Sequence, residues 1–163
     1  RLLEEAPEAE CFLGFGDTSA IFKKSGLSMI MRLIDGQFPD YQEVIPKQGE
    51  NQLKLPRQKL LSTLKRISLL SEEKSHAVRF DLDADQLRIS SQNPDLGEAH
   101  EDLPIEYTGS RVEVGFNARY LIDVLNVIDT EDVAFELIDE QSPGVLRPAG
   151  ERDYTAVIMP MRI

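Results

Sequence analysis

Apolar side chains recur at helical spacing in the stretch 57–71, which follows Pro56. One broad face of the projected helix carries Leu60, Leu61, Leu64, Ile67 and Leu70. The opposite face carries the basic pair Lys65 and Arg66, together with Leu69. Proline suits the first turn of a helix because the N–H that it lacks has no partner there. The pattern therefore predicts an amphipathic helix with a basic outer face.

A second helical pattern starts after Asn117, a residue type that favours the N-cap position. We expect its apolar face to contain Tyr120, Leu121, Val124, Leu125, Val127 and Ile128. The opposite face is expected to contain Arg119, Ile122, Asp123 and Asn126. This segment is thus predicted to be a second amphipathic helix.

Around these helices the hydrophobic period changes to two, which is typical of half-buried strands. Strands are predicted at 78–82, 87–89, 98–107, 112–116, 133–137, 145–147 and 154–159, with turns at 83–85, 108–110 and 142–144. The order strand–helix–strand–strand–strand then occurs twice, first from about Gln52 and again from Arg111. The two halves share a pattern rather than residues. We therefore predict an α+β fold in which two amphipathic helices pack on antiparallel β-sheet.

The N-terminal part fits the end of one more unit of this kind. It has the tail of a helix at 1–3 and strand-like runs at 11–15, 20–23 and 29–33. Residues 34–41 are rich in turn formers and are predicted to link this part to the next domain. Because the sequence has no initiator Met, we expect it to begin inside a longer protein.

Composition narrows the class of protein. No apolar run approaches the roughly 20 residues that a membrane span needs, and the charged start is unlike a signal peptide. The formal net charge of −11, taken alone, argues against a nucleic-acid partner. Cys11 is the only cysteine and lies in an apolar run. It is predicted to be a buried core thiol, consistent with a reducing, cytoplasmic compartment.

Candidate catalytic and metal-binding chemistry is sparse. Gly14-Phe15-Gly16 lacks the third glycine and the subsequent helix of a phosphate-binding loop. His76 and His100 have no His or Cys partner at ligand spacing, and His100 is interpreted as a surface or interface residue. The three aspartates of one predicted hairpin tip are interpreted as a solvated turn: Asp81, Asp83 and Asp85. We expect no catalytic residues, no metal and no cofactor.

The C-terminal segment 157–163 is a predicted strand that ends in apolar side chains. Such an end is either a packed edge strand or a binding surface. Methionine suits a surface that must adapt to several ligands. Met159 and Met161 therefore make the binding surface a serious alternative.

Three segments resemble the family of bacterial replicative sliding clamps, the beta subunits of DNA polymerase III. The first is 35–41 (Asp-Gly-Gln-Phe-Pro-Asp-Tyr) together with Val44-Ile45-Pro46. The others are Gly115-Phe116-Asn117-Ala118-Arg119-Tyr120-Leu121 with Asp123-Val124-Leu125, and Met159-Pro160-Met161-Arg162. Their order and spacing match the family over essentially the whole chain.

The resemblance implies a non-enzymatic ring, in which two subunits of three similar domains close head to tail around duplex DNA. Residues 1–39 would be the C-terminal remnant of the second domain with its linker, and 40–163 the third domain. The residues expected to face DNA, through sequence-independent phosphate contacts, are Lys65, Arg66 and Arg119. The residues expected at the interface of the homodimer are Leu69 and Leu70.

The resemblance also implies a pocket between the second and third domains. It would take short hydrophobic peptides from the catalytic subunit of DNA polymerase III, the clamp loader and repair proteins. The matching positions are Pro39, Val44, Asn117, Tyr120, Ser142, Pro143, Val157, Ile158, Met159, Pro160, Met161 and Arg162. Glu43 stands where some members carry arginine. Which peptides the pocket prefers at the edge near Glu43 is therefore left open.

Two other classes of protein are alternatives. One is a small α+β enzyme with a cleft between sheet layers, which would turn over a nucleotide or ester substrate. The other is a generic peptide-binding module that never meets DNA, in which Lys65 and Arg66 could be replaced by alanine without effect.

Overall fold

The structure is a computed structural model, and it describes residues 10–37, 40, 45, 52–150 and 153–162. The contacts divide the chain into two compact units, Arg1–Pro39 and Asp40–Ile163. The helix tail predicted at 1–3 and most of the link between the units lie outside the described residues. Among the described residues, no helix is both long and apolar enough to cross a membrane.

The first unit contains an antiparallel sheet with the order β1-β2-β3. Its strands, β1 (Phe12–Phe15), β2 (Ser19–Lys24) and β3 (Leu27–Arg32), confirm the predicted runs. Cys11, however, is exposed, so the prediction of a buried thiol is wrong. It precedes an edge strand, and Ala20 and Lys24 are the only residues of these three strands that are buried.

The second unit contains the doubled pattern that the sequence predicts. Its first half consists of β4 (Gln52–Pro56), α1 (Arg57–Ile67), a 3₁₀ turn (Ser68–Leu70), β5 (Ala77–Asp83), β6 (Gln86–Asn93) and β7 (Gly97–Pro104). Its second half consists of β8 (Val112–Asn117), α2 (Ala118–Val127), β9 (Asp132–Glu136), β10 (Gly144–Pro148) and β11 (Ala156–Ile158). The α+β fold with antiparallel sheets is confirmed.

The two halves exchange their first strands. One sheet has the order β11-β10-β9-β4 and the other has the order β7-β6-β5-β8. Thus β4 pairs with β9 of the second half, with Leu53 opposite Phe135. In turn β8 pairs with β5 of the first half, with Phe116 opposite Val78. Because each sheet needs a strand from the other half, we infer that neither half can fold without its partner.

Three phenylalanine rings lie at the centre of the core, beside leucine, isoleucine and valine side chains from both sheets and both helices. Phe80 meets Phe116 edge to face at 5.5 Å and Phe135 at 5.8 Å between ring centroids. Gly144 begins β10 directly against these rings. A Cβ there would lie 2.8 Å from ring atoms of Phe116 and Phe135, so a side chain at this position would collide with the core.

Helix α1 buries the predicted apolar face, together with Thr63, but ends at Ile67 rather than at position 71. The 3₁₀ turn after it leaves Leu70 half-buried and Leu69 exposed.

The prediction for α2 was partly wrong. Its buried stripe is Ala118, Leu121, Leu125 and, just past the helix, Ile128. Tyr120 and Val127 are 61% and 70% exposed, although both were predicted on the apolar face. At about 100° per residue they lie more than 100° from the centre of the buried stripe. Ile122 and Val124 flank that stripe and are half-buried.

Arg57 joins the start of α1 to the end of α2. Its Nε donates to the carbonyl of Thr130 at 2.9 Å, and its Nη1 donates to the carbonyl of Leu125 at 3.1 Å. Its backbone N–H donates to the carbonyl of Glu131 at 2.9 Å. A guanidinium is well placed at a helix C-terminus, where unpaired carbonyl groups carry partial negative charge. Arg57 therefore fixes the two helices side by side.

Candidate functional site

The C-terminal segment crosses from one sheet to the other. β11 pairs with β10, with Ile158 opposite Gly144. Three residues later the backbone N–H of Met161 donates to the carbonyl of Gly115 in β8 at 2.8 Å, which makes an antiparallel bridge. Between these anchors Met159 is 60% exposed. The chain end is therefore held at two points with an apolar side chain presented between them.

A cavity of about 700 Å³ opens beside this segment. We call it the C-terminal groove, and its lining residues are Glu113, Val114, Gly115, Glu140, Gln141, Pro160, Met161 and Arg162. Its lining includes the apolar residues Pro160 and Met161 and charged residues of both signs, Glu113, Glu140 and Arg162. A groove that combines apolar and charged groups suits a ligand with an apolar anchor and polar groups beside it.

Arg162 also lines a second cavity, of about 640 Å³. Most residues of that lining are polar and belong to β5, β6 and β7, with Arg79, Ser90 and His100 among them. Arg162 therefore belongs to the lining of both cavities.

The start of α2 is fixed by Asn117, as its residue type predicts. The side-chain oxygen of Asn117 accepts from the N–H of Arg119 at 2.9 Å, and its amide donates to the carbonyl of Ser75 at 3.1 Å. Helix α2 contacts β11, in which Val157 is half-buried and Ile158 belongs to the core. Tyr120 projects from the exposed side of the first turn.

The predicted pocket residues therefore have different surroundings. Pro160, Met161 and Arg162 share the C-terminal groove. Ser142 and Pro143 are half-buried, directly after the groove residues Glu140 and Gln141. Asn117 caps a helix, and Ile158 is in the core. Pro39 and Val44, like Glu43, lie outside the described residues.

Sequence reasoning missed five of the eight residues that line the groove. Its lining includes Glu113, Val114 and Gly115 of β8 and Glu140 and Gln141 of the loop after β9. The strand β8 was predicted, but the bridge that joins it to the C-terminus is a pairing between distant residues. Hydrophobic period carries no signal for such a pairing.

The basic residues predicted to face DNA are not equivalent. Arg66 is held by Glu101 of β7, with Nη2 2.8 Å from both carboxylate oxygens and Nε 3.1 Å from Oε2. Lys59 donates to the same carboxylate at 3.1 Å, and Thr63 donates to it at 2.8 Å. Lys65 and Arg119 are exposed and form no ion pair with the residues that the structure describes.

Arg66, with Thr63 and Lys59, lowers the pKa of Glu101 to about 2, from an ordinary value of 4.5. A carboxyl group whose pKa is depressed by folding stabilises the folded state above its ordinary pKa, and this contribution disappears as the pH falls through the depressed value. We expect Glu101→Gln to be less stable than the wild type above pH 4.5, and the two to converge as the pH falls towards 2. Urea unfolding at several pH values measures the difference. A difference that does not change between pH 6 and pH 2 would contradict the ion-pair explanation.

Two of the remaining polar candidates, Asp81 and Asp83, have hydrogen-bond partners. Asp81 binds Arg111, with oxygen–nitrogen distances of 2.7 and 2.9 Å. Asp83 accepts from the N–H of Ala84 at 2.7 Å in the β5–β6 turn, at the position predicted to be a turn. His100 is exposed on β7. In the described ranges, no group of three His, Cys, Asp or Glu residues could hold a metal ion.

Comparison with known proteins gives one consistent family. The family described as DNA polymerase III beta subunit, C-terminal domain, matches residues 42–162. The beta sliding clamp of Pseudomonas putida is 44% identical over 132 residues, which are 81% of this chain and 36% of the relative. The beta sliding clamp of Escherichia coli K12 is 38% identical over the same shares. The chain thus spans little more than a third of the length of these relatives.

Solved structures that are similar to this chain belong to the same family. A crystal structure of the DNA polymerase sliding clamp from Pseudomonas aeruginosa with ligand is similar with a TM-score of 0.85 and 36% identity, over 99% of this chain and 44% of that one. The sliding clamp of the same organism bound to griselimycin has a TM-score of 0.78 and 37% identity, over 93% and 41% of the two chains.

Proposed function

The chain belongs to the family of bacterial beta sliding clamps, the beta subunits of DNA polymerase III. From that premise we propose that residues 40–163 are the third domain of such a clamp and residues 1–39 the end of the second. The family match begins at residue 42, next to the division between the two compact units. Within the described residues, both copies of the strand–helix pattern lie in the second unit.

We propose that the whole protein is a non-catalytic processivity factor of the cytoplasm, which encircles duplex DNA and tethers partner proteins. Its partners would be the catalytic subunit of DNA polymerase III, the clamp loader and other proteins with a similar hydrophobic peptide. The observation that carries this proposal is the C-terminal segment. Its two anchors leave Met159 exposed beside a groove that Met161 helps to line.

The experiment that tests the proposal is a calorimetric titration of the chain with a synthetic peptide of the polymerase catalytic subunit's C-terminal tail. Griselimycin, which the Pseudomonas aeruginosa clamp binds, is a second probe. Saturable binding of either probe supports the proposal. Failure of both probes to bind the folded protein would contradict it.

We propose that the polar faces of α1 and α2 are turned towards the DNA. Lys65 and Arg119 carry charge that no described residue neutralises, whereas Arg66 is already paired with Glu101. Contacts of this kind would be with phosphate groups and independent of base sequence. The net charge of −11 would keep DNA away from the other surfaces.

Binding of linear duplex to this chain is therefore expected to be weak and salt-sensitive, with a dissociation constant of roughly 10⁻⁴ M or weaker at physiological salt. Fluorescence anisotropy of a labelled duplex at several salt concentrations measures it. Lys65→Ala and Arg119→Ala should each reduce the salt dependence, and Arg66→Ala should do so less. Submicromolar binding at physiological salt would contradict a clamp that holds DNA by topology.

We propose that Leu69, with Leu70, contributes to the interface of the full-length homodimer. Leu69 is 76% exposed, in the 3₁₀ turn after α1, so its side chain is available to a partner surface. Its proposed partner, a first domain, lies outside these 163 residues. We therefore expect this chain to sediment as a monomer or a weak non-native dimer, and a closed dimer at micromolar concentration would contradict the assignment.

A further inference from the structure

The loop 139–143, between β9 and β10, is organised by one carboxylate. Asp139 Oδ1 accepts from the backbone N–H of Gln141 at 2.8 Å and from that of Ser142 at 2.6 Å. Its Oδ2 accepts from the hydroxyl of Ser142 at 3.0 Å. The backbone N–H groups of Gln141 and Ser142 lower the pKa of Asp139, so the carboxylate is charged at neutral pH.

The far end of the same loop is fixed by packing. Gly144 lies against Phe116 and Phe135, and it pairs with Ile158 of the C-terminal strand. The loop is therefore held at its start by hydrogen bonds to Asp139 and at its end by the core. Between these points Glu140 and Gln141 line the C-terminal groove, together with Met161 and Arg162.

We propose that Asp139 is a positioning residue for the partner site. It holds Glu140 and Gln141 in the wall of the C-terminal groove before a peptide arrives. This inference rests on the proposed function, because it assigns a role within the same site. A loop that is ordered in the free protein does not have to lose conformational freedom on binding, and that loss opposes association.

Asp139 itself is exposed and does not line the groove. Its effect on binding would therefore be indirect, through the geometry of the loop. Without the carboxylate, the two backbone N–H groups can bond to water in many loop conformations. Ordering two or three side chains on binding then costs enough to weaken affinity about tenfold.

The test compares three variants of the chain, with the polymerase tail peptide and griselimycin as separate probes. Asp139→Ala removes all three hydrogen bonds. Asp139→Asn keeps an oxygen that can accept from both N–H groups and an amide that can donate to Ser142, so it should restore the geometry without the charge.

The chain also offers a matched control. In the β6–β7 turn, Asn93 Oδ1 accepts from the N–H groups of Asp95 and Leu96 at 2.9 and 3.2 Å. Asn93→Ala removes a similar pair of hydrogen bonds at a turn that does not line the C-terminal groove. A general loss of turn stability would therefore appear in Asn93→Ala as well.

The expected result is a loss of about tenfold in affinity for Asp139→Ala. Asp139→Asn and Asn93→Ala should stay within about threefold of the wild type. The melting temperatures of Asp139→Ala and Asn93→Ala should change by similar small amounts. Wild-type affinity in Asp139→Ala, or an equal loss in Asp139→Asn, would overturn the inference. If the wild type itself binds neither probe, the proposed function fails instead.

Discussion

Replacing Arg147 by methionine is expected to lower the free energy of unfolding by about 3–5 kcal/mol, because it leaves a buried charge without its partner. The Nη1 of Arg147 lies 2.6 Å from Glu136 Oε1, and the two side chains are 16% and 4% exposed. Glu136 Oε2 has no hydrogen-bond partner among the described residues. The carboxylate of Glu136 therefore depends on Arg147, with Gln52 at 3.5 Å as its other donor.

Urea unfolding followed by circular dichroism measures this loss. Two controls make the result specific. The double variant Arg147→Met with Glu136→Leu removes both charges, and it should recover most of the stability because apolar side chains replace a buried pair at little cost. Arg88→Met breaks the ion pair between Arg88 and Asp102, in which the two side chains are 50% and 37% exposed. This variant should lower the free energy of unfolding much less. Equal losses in Arg147→Met and Arg88→Met would contradict the role of burial.

The Glu136–Arg147 pair also shows that the burial of a polar side chain could not be predicted from the sequence. The alternation of Val133, Phe135 and Leu137 implies that Glu136 lies on the face of β9 opposite to theirs. It could not show that this side chain would still be buried. Glu136 stands between Gln52 of β4 and Val145 of β10, in a strand that has neighbours on both sides. Burial on the outer face depends on those neighbours, which come from distant parts of the chain.

The elements themselves were predictable because their signals are local. Both helices, the hairpin turn after Asp83 and the N-cap at Asn117 were recognised from spacing and residue type. The errors came from tertiary contacts. Cys11 was expected in a core, but its sheet buries few of its own side chains. The ion pair of Arg66 with Glu101 was not predicted, since nothing in α1 indicates that a residue of β7 would bind it.

The exposed position of Tyr120 illustrates a second kind of error. A helical projection shows which residues share a face, but the width of the buried stripe depends on the elements that pack against it. Here the stripe is narrow, and Tyr120 is left on the surface near β11. The peptide titration tests whether that exposure serves a partner.

Removal of residues 159–163 is expected to abolish peptide binding. Two point variants show whether this segment binds the peptide directly or only stabilises the fold. Met159 is exposed and makes no core contact, so Met159→Ala should keep the melting temperature of the wild type. A buried anchor of a partner peptide contributes about 2 kcal/mol or more at a good site. Loss of part of that contact should weaken binding by about tenfold, which corresponds to about 1.4 kcal/mol.

Met161 is half-buried, and its backbone N–H forms the bridge to Gly115. Met161→Ala keeps the bridge and should also weaken peptide binding by about tenfold, with a smaller effect on stability. Leu96→Ala is the matched control, because Leu96 is an exposed apolar side chain in the β6–β7 turn. Affinity and melting temperature measured on the same samples distinguish a binding surface from a packed strand. If Met159→Ala and Met161→Ala bind the peptide like the wild type while Met161→Ala loses several degrees of melting temperature, the C-terminus is only a packed strand. The peptide site would then have to lie on the other predicted positions, with Tyr120 the first to test.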